Sequence, residues 1–130
     1  KILQDPYSSQ NLWRILVGVI PSDVTQFDII NIGHDRYFCS KKLKGWAYVA
    51  GDGFKCNADG FGSSYGKTYT KNDIIKCQLN FDDKTIEFHK NNKSQGIAFK
   101  NLDKSVRIAV GMCKDGASVK LITNDNRKII

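Results

Sequence analysis

Nowhere in this chain do apolar residues keep the three, four, seven spacing of an amphipathic helix for three turns; they come in short runs broken by Asp, Asn, Gly and Ser. That punctuation excludes a helical bundle and predicts an all-β fold. The composition agrees. Ala, Glu and Gln are scarce, and the 13 acidic residues are all aspartate except Glu87, a usage that favours turns over helices. A length of 130 residues with 41% hydrophobic and 25% charged residues fits one domain, spanning 1–130, that can bury roughly two thirds of its unfolded surface. No apolar run approaches the ~20 residues of a membrane-spanning helix.

The runs can be read as strands. From Trp13 to Ile20, Trp13, Ile15, Val17 and Val19 share one face and Leu16, Gly18 and Ile20 the other, the pattern of a strand covered on both sides. Pro21-Ser22-Asp23 ends it, an irregular stretch follows to Lys44, and Gly45 to Val49 resumes a strand. The glycine-rich segment from Gly51 to Tyr69 reads as one long loop. Ile75, Cys77, Leu79 and Phe81 alternate with polar partners and should point inward. After a turn at Asp82-Asp83-Lys84, Ile86 and Phe88 face in while Thr85, Glu87 and His89 face out. Lys90-Asn91-Asn92-Lys93 predicts a tight hairpin turn, because Asn tolerates positive φ. Gly96 to Phe99 is the next strand. Arg107 to Met112 and Ser118 to Ile122 are expected to pair around Cys113-Lys114-Asp115-Gly116.

Several chemistries are disfavoured by spacing. Cys39, Cys56, Cys77 and Cys113 include no C-x-x-C and have no histidine at ligand distance, so free thiols, no metal, and a reducing intracellular compartment, cytoplasmic or nuclear, are expected. Asn92-Lys93-Ser94 matches a glycosylation sequon, without a signal peptide or cysteine framework beside it. Gly60 to Thr68 fails the phosphate-loop spacing by one residue and is not followed by a helix pattern. His34 and His89 have no placeable nucleophile, Glu87 lacks a second acid and reads as a solvated surface residue, and the Asp-Gly pairs do not begin a calcium loop. No enzyme and no cofactor is expected. Net charge is +7, carried mainly by lysine. Arginine, which forks onto phosphate and stacks on bases, is sparse. Lys41-Lys42-Leu43-Lys44 beside Tyr37, Phe38 and Trp46 is the best candidate for the alternative function, nucleic-acid or anionic-lipid binding through a lysine-rich rim.

The second half of the chain carries a resemblance. Asp73-Ile74-Ile75-Lys76-Cys77-Gln78-Leu79, Thr85-Ile86-Glu87-Phe88, Lys90-Asn91-Asn92-Lys93, Gly96-Ile97-Ala98-Phe99, Ala109-Val110 and Ser118-Val119-Lys120-Leu121 occur in the order and spacing of a SPRY domain. Upstream, Trp13 to Val19, Gly45-Trp46-Ala47-Tyr48 and Tyr65-Gly66 are similar to the family's earlier strands and its tyrosine-glycine turn, so the resemblance covers about 12–122. It implies a bent two-sheet antiparallel β-sandwich that binds proteins through loops at one edge, as in substrate-recognition parts of ubiquitin ligases or in scaffold proteins. Asn92 stands where the family usually has Gly, Pro21 to Lys44 does not match the SOCS-box subgroup, and the late turn lacks that subgroup's tryptophan. Lys1-Ile2 resembles the tail of an earlier strand, which implies that one or two N-terminal strands are missing here. An edge left open that way should be covered by residues 1–11 or 123–130, or by a neighbouring chain through a domain swap or dimer.

The expected partner-binding surface comprises Ser22, Asp23, Tyr37, Phe38, Lys41 and Lys42 from the irregular stretch, with Lys114 and Asp115 from the late turn. Tyr37 and Phe38 would be exposed aromatic anchors and the lysines would steer an acidic protein or peptide.

Overall fold

The computed structural model describes residues 1–4, 15–25, 37–58, 62–112 and 118–122. Among them the strands are β1 (Ile2–Gln4), β2 (Ile15–Pro21), β3 (Trp46–Val49), β4 (Phe54–Cys56), β5 (Ser63–Ser64), β6 (Ile75–Asn80), β7 (Thr85–Lys90), β8 (Lys93–Phe99), β9 (Val106–Met112) and β10 (Ser118–Val119), with a 3-10 turn at Tyr37–Cys39. They form a five-stranded sheet β5-β4-β3-β2-β9, a three-stranded sheet β6-β7-β8 and a ribbon β1-β10. Every pairing is antiparallel. The all-β sandwich expected from the sequence is what the chain adopts.

β2 is buried at every residue, as its two apolar faces require. Ile15, Val17 and Val19 enter an inner core with Tyr48, Ile86 and Phe88, while Leu16 and Ile20 enter an outer core with Phe38, Leu43, Val49 and Cys56. Gly18, between them, cannot carry a side chain, because a Cβ there would run into the Trp46 carbonyl. The inner core lies between the two sheets. Tyr48 on β3 meets Phe88 on β7 with ring centroids 5.3 Å apart, and Lys55 on β4 donates to the Ala98 carbonyl on β8 at 2.7 Å. β6 approaches β2. Strands β8, β7 and β6 therefore lie over β4, β3 and β2 in turn.

Buried phenols tie this core to the backbone. Tyr48 donates to the Lys67 carbonyl, Tyr69 to the Tyr48 carbonyl at 2.5 Å, and Tyr65 to the Gly96 carbonyl at 2.5 Å while accepting from the Phe88 amide at 3.1 Å. Burial, then the neighbouring Tyr65 hydroxyl, pushes the Tyr48 phenol up to about 12, so it remains a donor. Cys39, Cys56 and Cys77 are in no disulfide, and burial pushes Cys77 up to about 12, well out of reactive range.

The β7–β8 turn forms as expected, with Asn91 at φ 50° and Asn92 at φ 68°, the pair of positive angles a type I′ hairpin demands. Gly96, at φ 92°, falls where the β7–β8 register shifts, a bulge position suited to glycine.

Four expectations need correction. The 51–69 segment is not one loop: β4 and β5 lie within it and extend the large sheet. Gly53, whose φ is 72°, serves the turn from β3 to β4. Phe81 does not face the core and is 75% exposed, because β6 ends at Asn80, whose side-chain oxygen accepts from the Asp82 and Asp83 amides and starts the turn one residue early. The last two strands do not pair with each other; β9 pairs with β2, and β10 with β1. Glu87 is not simply solvated. It is half-buried, accepts from Ser94 Oγ at 2.6 Å and lies 3.0 Å from His89 Nε2.

Candidate functional site: a basic rim at one end of the large sheet

Pro21 closes β2 because it has no N–H for the ladder. The chain then turns, with the Ser22 amide bonded to the Ser105 carbonyl at 2.8 Å and the Val24 amide to the Pro21 carbonyl at 3.1 Å. Arg107, near the start of β9, reaches back to the Val24 carbonyl at 2.5 Å. Val24 packs on the outer core. Ser22 and Asp23 are left exposed.

The segment after the 3-10 turn packs on that same core. Phe38, Cys39 and Leu43 are buried in it, and the loop between them is tied down repeatedly. The Lys44 amide bonds to the Ser40 carbonyl at 2.8 Å, the Leu43 amide to Ser40 Oγ at 3.2 Å, and the Gly45 amide to the Phe38 carbonyl at 2.7 Å. Asn57 Nδ2 donates to the Lys44 and Gly45 carbonyls at 3.0 and 2.8 Å. Lys41, Lys42 and Lys44 are exposed on this tied loop. With Leu43 as the inward residue, this is a sequence-local way to present cations on a rigid base.

Val24, next to Ser22 and Asp23, and Leu43, between Lys42 and Lys44, pack on the same outer core. The structure does not bring together everything expected there. Phe38 is not an exposed anchor: it is 6% exposed and lies against Gly45 and Gly111. Its ring is needed to seal the outer face of β2, β3 and β9, which sequence alternation left without a stated cover. Tyr37 opens the 3-10 turn. Lys114 and Asp115 lie outside the described residues, and Met112, the last described residue before them, pairs with Ile15 at the opposite end of β2 from Ser22. Asn57, Ser105 and Arg107, which bond to Lys44, Ser22 and Val24, were not among the expected residues. Only the β2–β9 pairing brings Arg107 beside Val24, 83 positions away, and no local signal announces that. His34 also lies outside the described residues. Among the described residues no group of His, Cys, Asp and Glu could hold a metal ion, and none of their helices is long and apolar enough to cross a membrane.

The exposed polar side chains here are those of Ser22, Asp23, Lys41, Lys42, Lys44 and Arg107. The chain is 34% identical over 89 residues to a Ran-binding proteins 9/10 homolog of Drosophila melanogaster, covering 65% of this chain and 9% of that protein. It is 36% identical over 83 residues to Ran-binding protein 9 of Xenopus tropicalis, covering 60% and 15%. It is also 39% identical over 69 residues to a probable ATP-dependent RNA helicase, ddx1, of Dictyostelium discoideum, covering 53% and 8%. The chain spans a small fraction of the length of these curated relatives. The SPRY domain profile matches residues 8–125, and with the two-layered antiparallel architecture this settles the assignment: the chain belongs to the SPRY domain family.

Proposed function

We propose that this domain is a non-catalytic protein-interaction module whose rim, Ser22, Asp23, Lys41 and Lys42 with Lys44 and Arg107, captures an acidic segment or loop of a partner. One observation carries the reading: the lysines stand on a loop whose Leu43, Lys44 and Gly45 amides are hydrogen-bonded and whose Leu43 is buried, so little ordering cost accompanies binding. Charge at such a rim steers association more than it adds affinity. Membership of the SPRY family and similarity to Ran-binding proteins support a protein partner. A place in a larger scaffold or ubiquitin-ligase assembly, in an intracellular compartment, accords with that reading.

The test is recovery of bound proteins from host lysate by the domain and by its Lys41→Glu/Lys42→Glu variant, followed by titration of the recovered partner. Loss of the same proteins from the variant supports the rim; undiminished recovery overturns it. A single-stranded oligonucleotide titrated at two salt concentrations separates the nucleic-acid alternative, which requires tight, strongly salt-dependent binding.

A further inference from the structure

Along the β6 edge the chain supplies cover of its own, as the Ile2 amide bonds to the Asp73 carbonyl at 2.9 Å and the Asn72 amide to the Ile2 carbonyl at 2.6 Å. Residues 5–11 and 123–130, also expected at that edge, lie outside the described residues. The rim loop from Phe38 to Gly45 lies within them.

In that loop Lys44 has φ 58°. Its amide bonds to the Ser40 carbonyl, four residues back, at 2.8 Å. It is thus the left-handed residue that closes a single helical turn, a place where glycine is usual and asparagine next. Elsewhere the chain keeps to that preference, with Gly53, Gly62 and Gly96 and with Asn72, Asn91, Asn92 and Asn101 at positive φ. A lysine at this angle crowds its Cβ against the carbonyl that follows. The angle is imposed from outside the loop, because Asn57 Nδ2 holds the Lys44 and Gly45 carbonyls at 3.0 and 2.8 Å.

Two other residues that are neither glycine nor asparagine share the angle, and each has an offset that Lys44 lacks. Ala58, at φ 59°, is half-buried and its amide bonds to the Cys39 carbonyl. Lys84, at φ 57°, directly follows Asp82 and Asp83 in the β6–β7 turn, so its charge is balanced nearby. Lys44 is exposed, and the charges closest to it in sequence are those of Lys41 and Lys42. Among the described residues no ion pair involves it. In the free domain both its backbone and its charge are therefore unfavourable.

The neighbouring residues explain why a cation at this point has to sit at 44. Leu43 is buried in the outer core, and a Cβ at Gly45 would meet the Phe38 carbonyl at 2.5 Å. Between Lys42 and β3, position 44 is the one place from which a side chain can leave the loop. Trp46 pairs with Val19, so Lys44, two residues earlier, stands level with the end of β2.

We propose that Lys44 is the specificity-determining residue of the rim, meeting a carboxylate of the acidic partner segment directly. The inference rests on the rim reading and adds to it which cation the partner must engage. Contact with a carboxylate offsets what the free domain gives up at this position, the left-handed backbone and the crowding of like charges. Three lysines within four positions suit a segment that carries several carboxylates together, and the tied backbone fixes where the Lys44 stem starts.

The probe is the labelled peptide acetyl-GDEDEDG-amide, titrated into the domain by fluorescence anisotropy at low salt, with acetyl-GNQNQNG-amide as its uncharged counterpart. Lys44→Gly and Lys44→Gln should each weaken binding of the acidic peptide about fivefold or more, while Lys44→Arg retains it. Lys44→Gly, which suits the angle, should also raise the urea midpoint by about 0.3 M, and Lys44→Gln should not. Lys84→Gly is the control: its midpoint should rise in the same way with binding unchanged. Circular dichroism checks that each variant is folded. Wild-type affinity in Lys44→Gly and Lys44→Gln, alongside weakened binding in Lys41→Glu/Lys42→Glu, overturns the role of Lys44 and leaves the rim standing. A lowered midpoint in Lys44→Gly overturns it as well, because the angle would then carry no strain. Equal binding of the two peptides by the wild-type domain overturns the rim and the role of Lys44 together.

Discussion

The two faces of β2 and its neighbours present opposite solutions to the same problem. On the outer face, the 37–45 segment folds back and seals the sheet with Phe38, Cys39 and Leu43, leaving lysines as its outside surface. On the inner face, a second sheet buries Tyr48 of β3 but stops short of β9, where Ile108, Val110 and Met112 remain open to solvent. An irregular segment can match a short patch with three apolar side chains because its backbone is free to bond to its own hydroxyls and carbonyls. A sheet can be covered only in whole strands, so a deficit there comes as a groove one strand wide.

The contrast can be broken most severely at the sealed inner core. Phe88→Ala, at a fully buried position, should cost about 3–5 kcal/mol in urea unfolding, and a smaller loss would mean that the two layers are less closely packed than described. Leu43→Ala, the inward residue of the rim loop, should cost about 2–4 kcal/mol. If the cost were near zero, the outer seal would be decorative and the rim would lose its rigid base. Asn57→Ala removes the two bonds that hold the Lys44 and Gly45 carbonyls and should cost about 1 kcal/mol, with partner affinity falling further than stability if loop order matters. Ile108→Thr, at a position 60% exposed on the open strip, should leave stability within about 0.5 kcal/mol, the smallest effect in the series and the sharpest statement of the difference between the two faces.

Alkaline pH probes the layer interface. Cys77 and Tyr48 have folded values raised to about 12 from 9.0 and 10.0. The unfolded chain therefore loses these protons first, and by linkage stability must fall as pH rises past each unfolded value. Urea midpoints should begin to decline near pH 9 and fall more steeply above pH 10. In Cys77→Ala the earlier part of that decline should disappear.

Regular strands were legible in the sequence wherever alternation ran uninterrupted. β2 and the β6-β7-β8 meander follow directly from apolar period and Asn-rich turns, since both are local signals. The rest depends on partners distant in sequence. β4 and β5 are only three and two residues long, too short for a period to show among glycines. Phe38 reads as a surface aromatic until its sheet is known to need a cover. The rim was half legible for the same reason: Lys41 and Lys42 announce themselves as a charge cluster, whereas Arg107 joins only through the antiparallel pairing of β9 with β2.

The phenol hydroxyls in the inner core carry one more implication. Each of Tyr48, Tyr65 and Tyr69 is bonded to a main-chain carbonyl, and the Tyr65 contact crosses from the wide sheet's loops to the narrow one. A slip of either layer by one residue would break the Tyr65 bonds to Gly96 and Phe88, at a cost of roughly 1–3 kcal/mol. Tyr65 is therefore a pin as well as filler, and it fixes the register of one layer on the other.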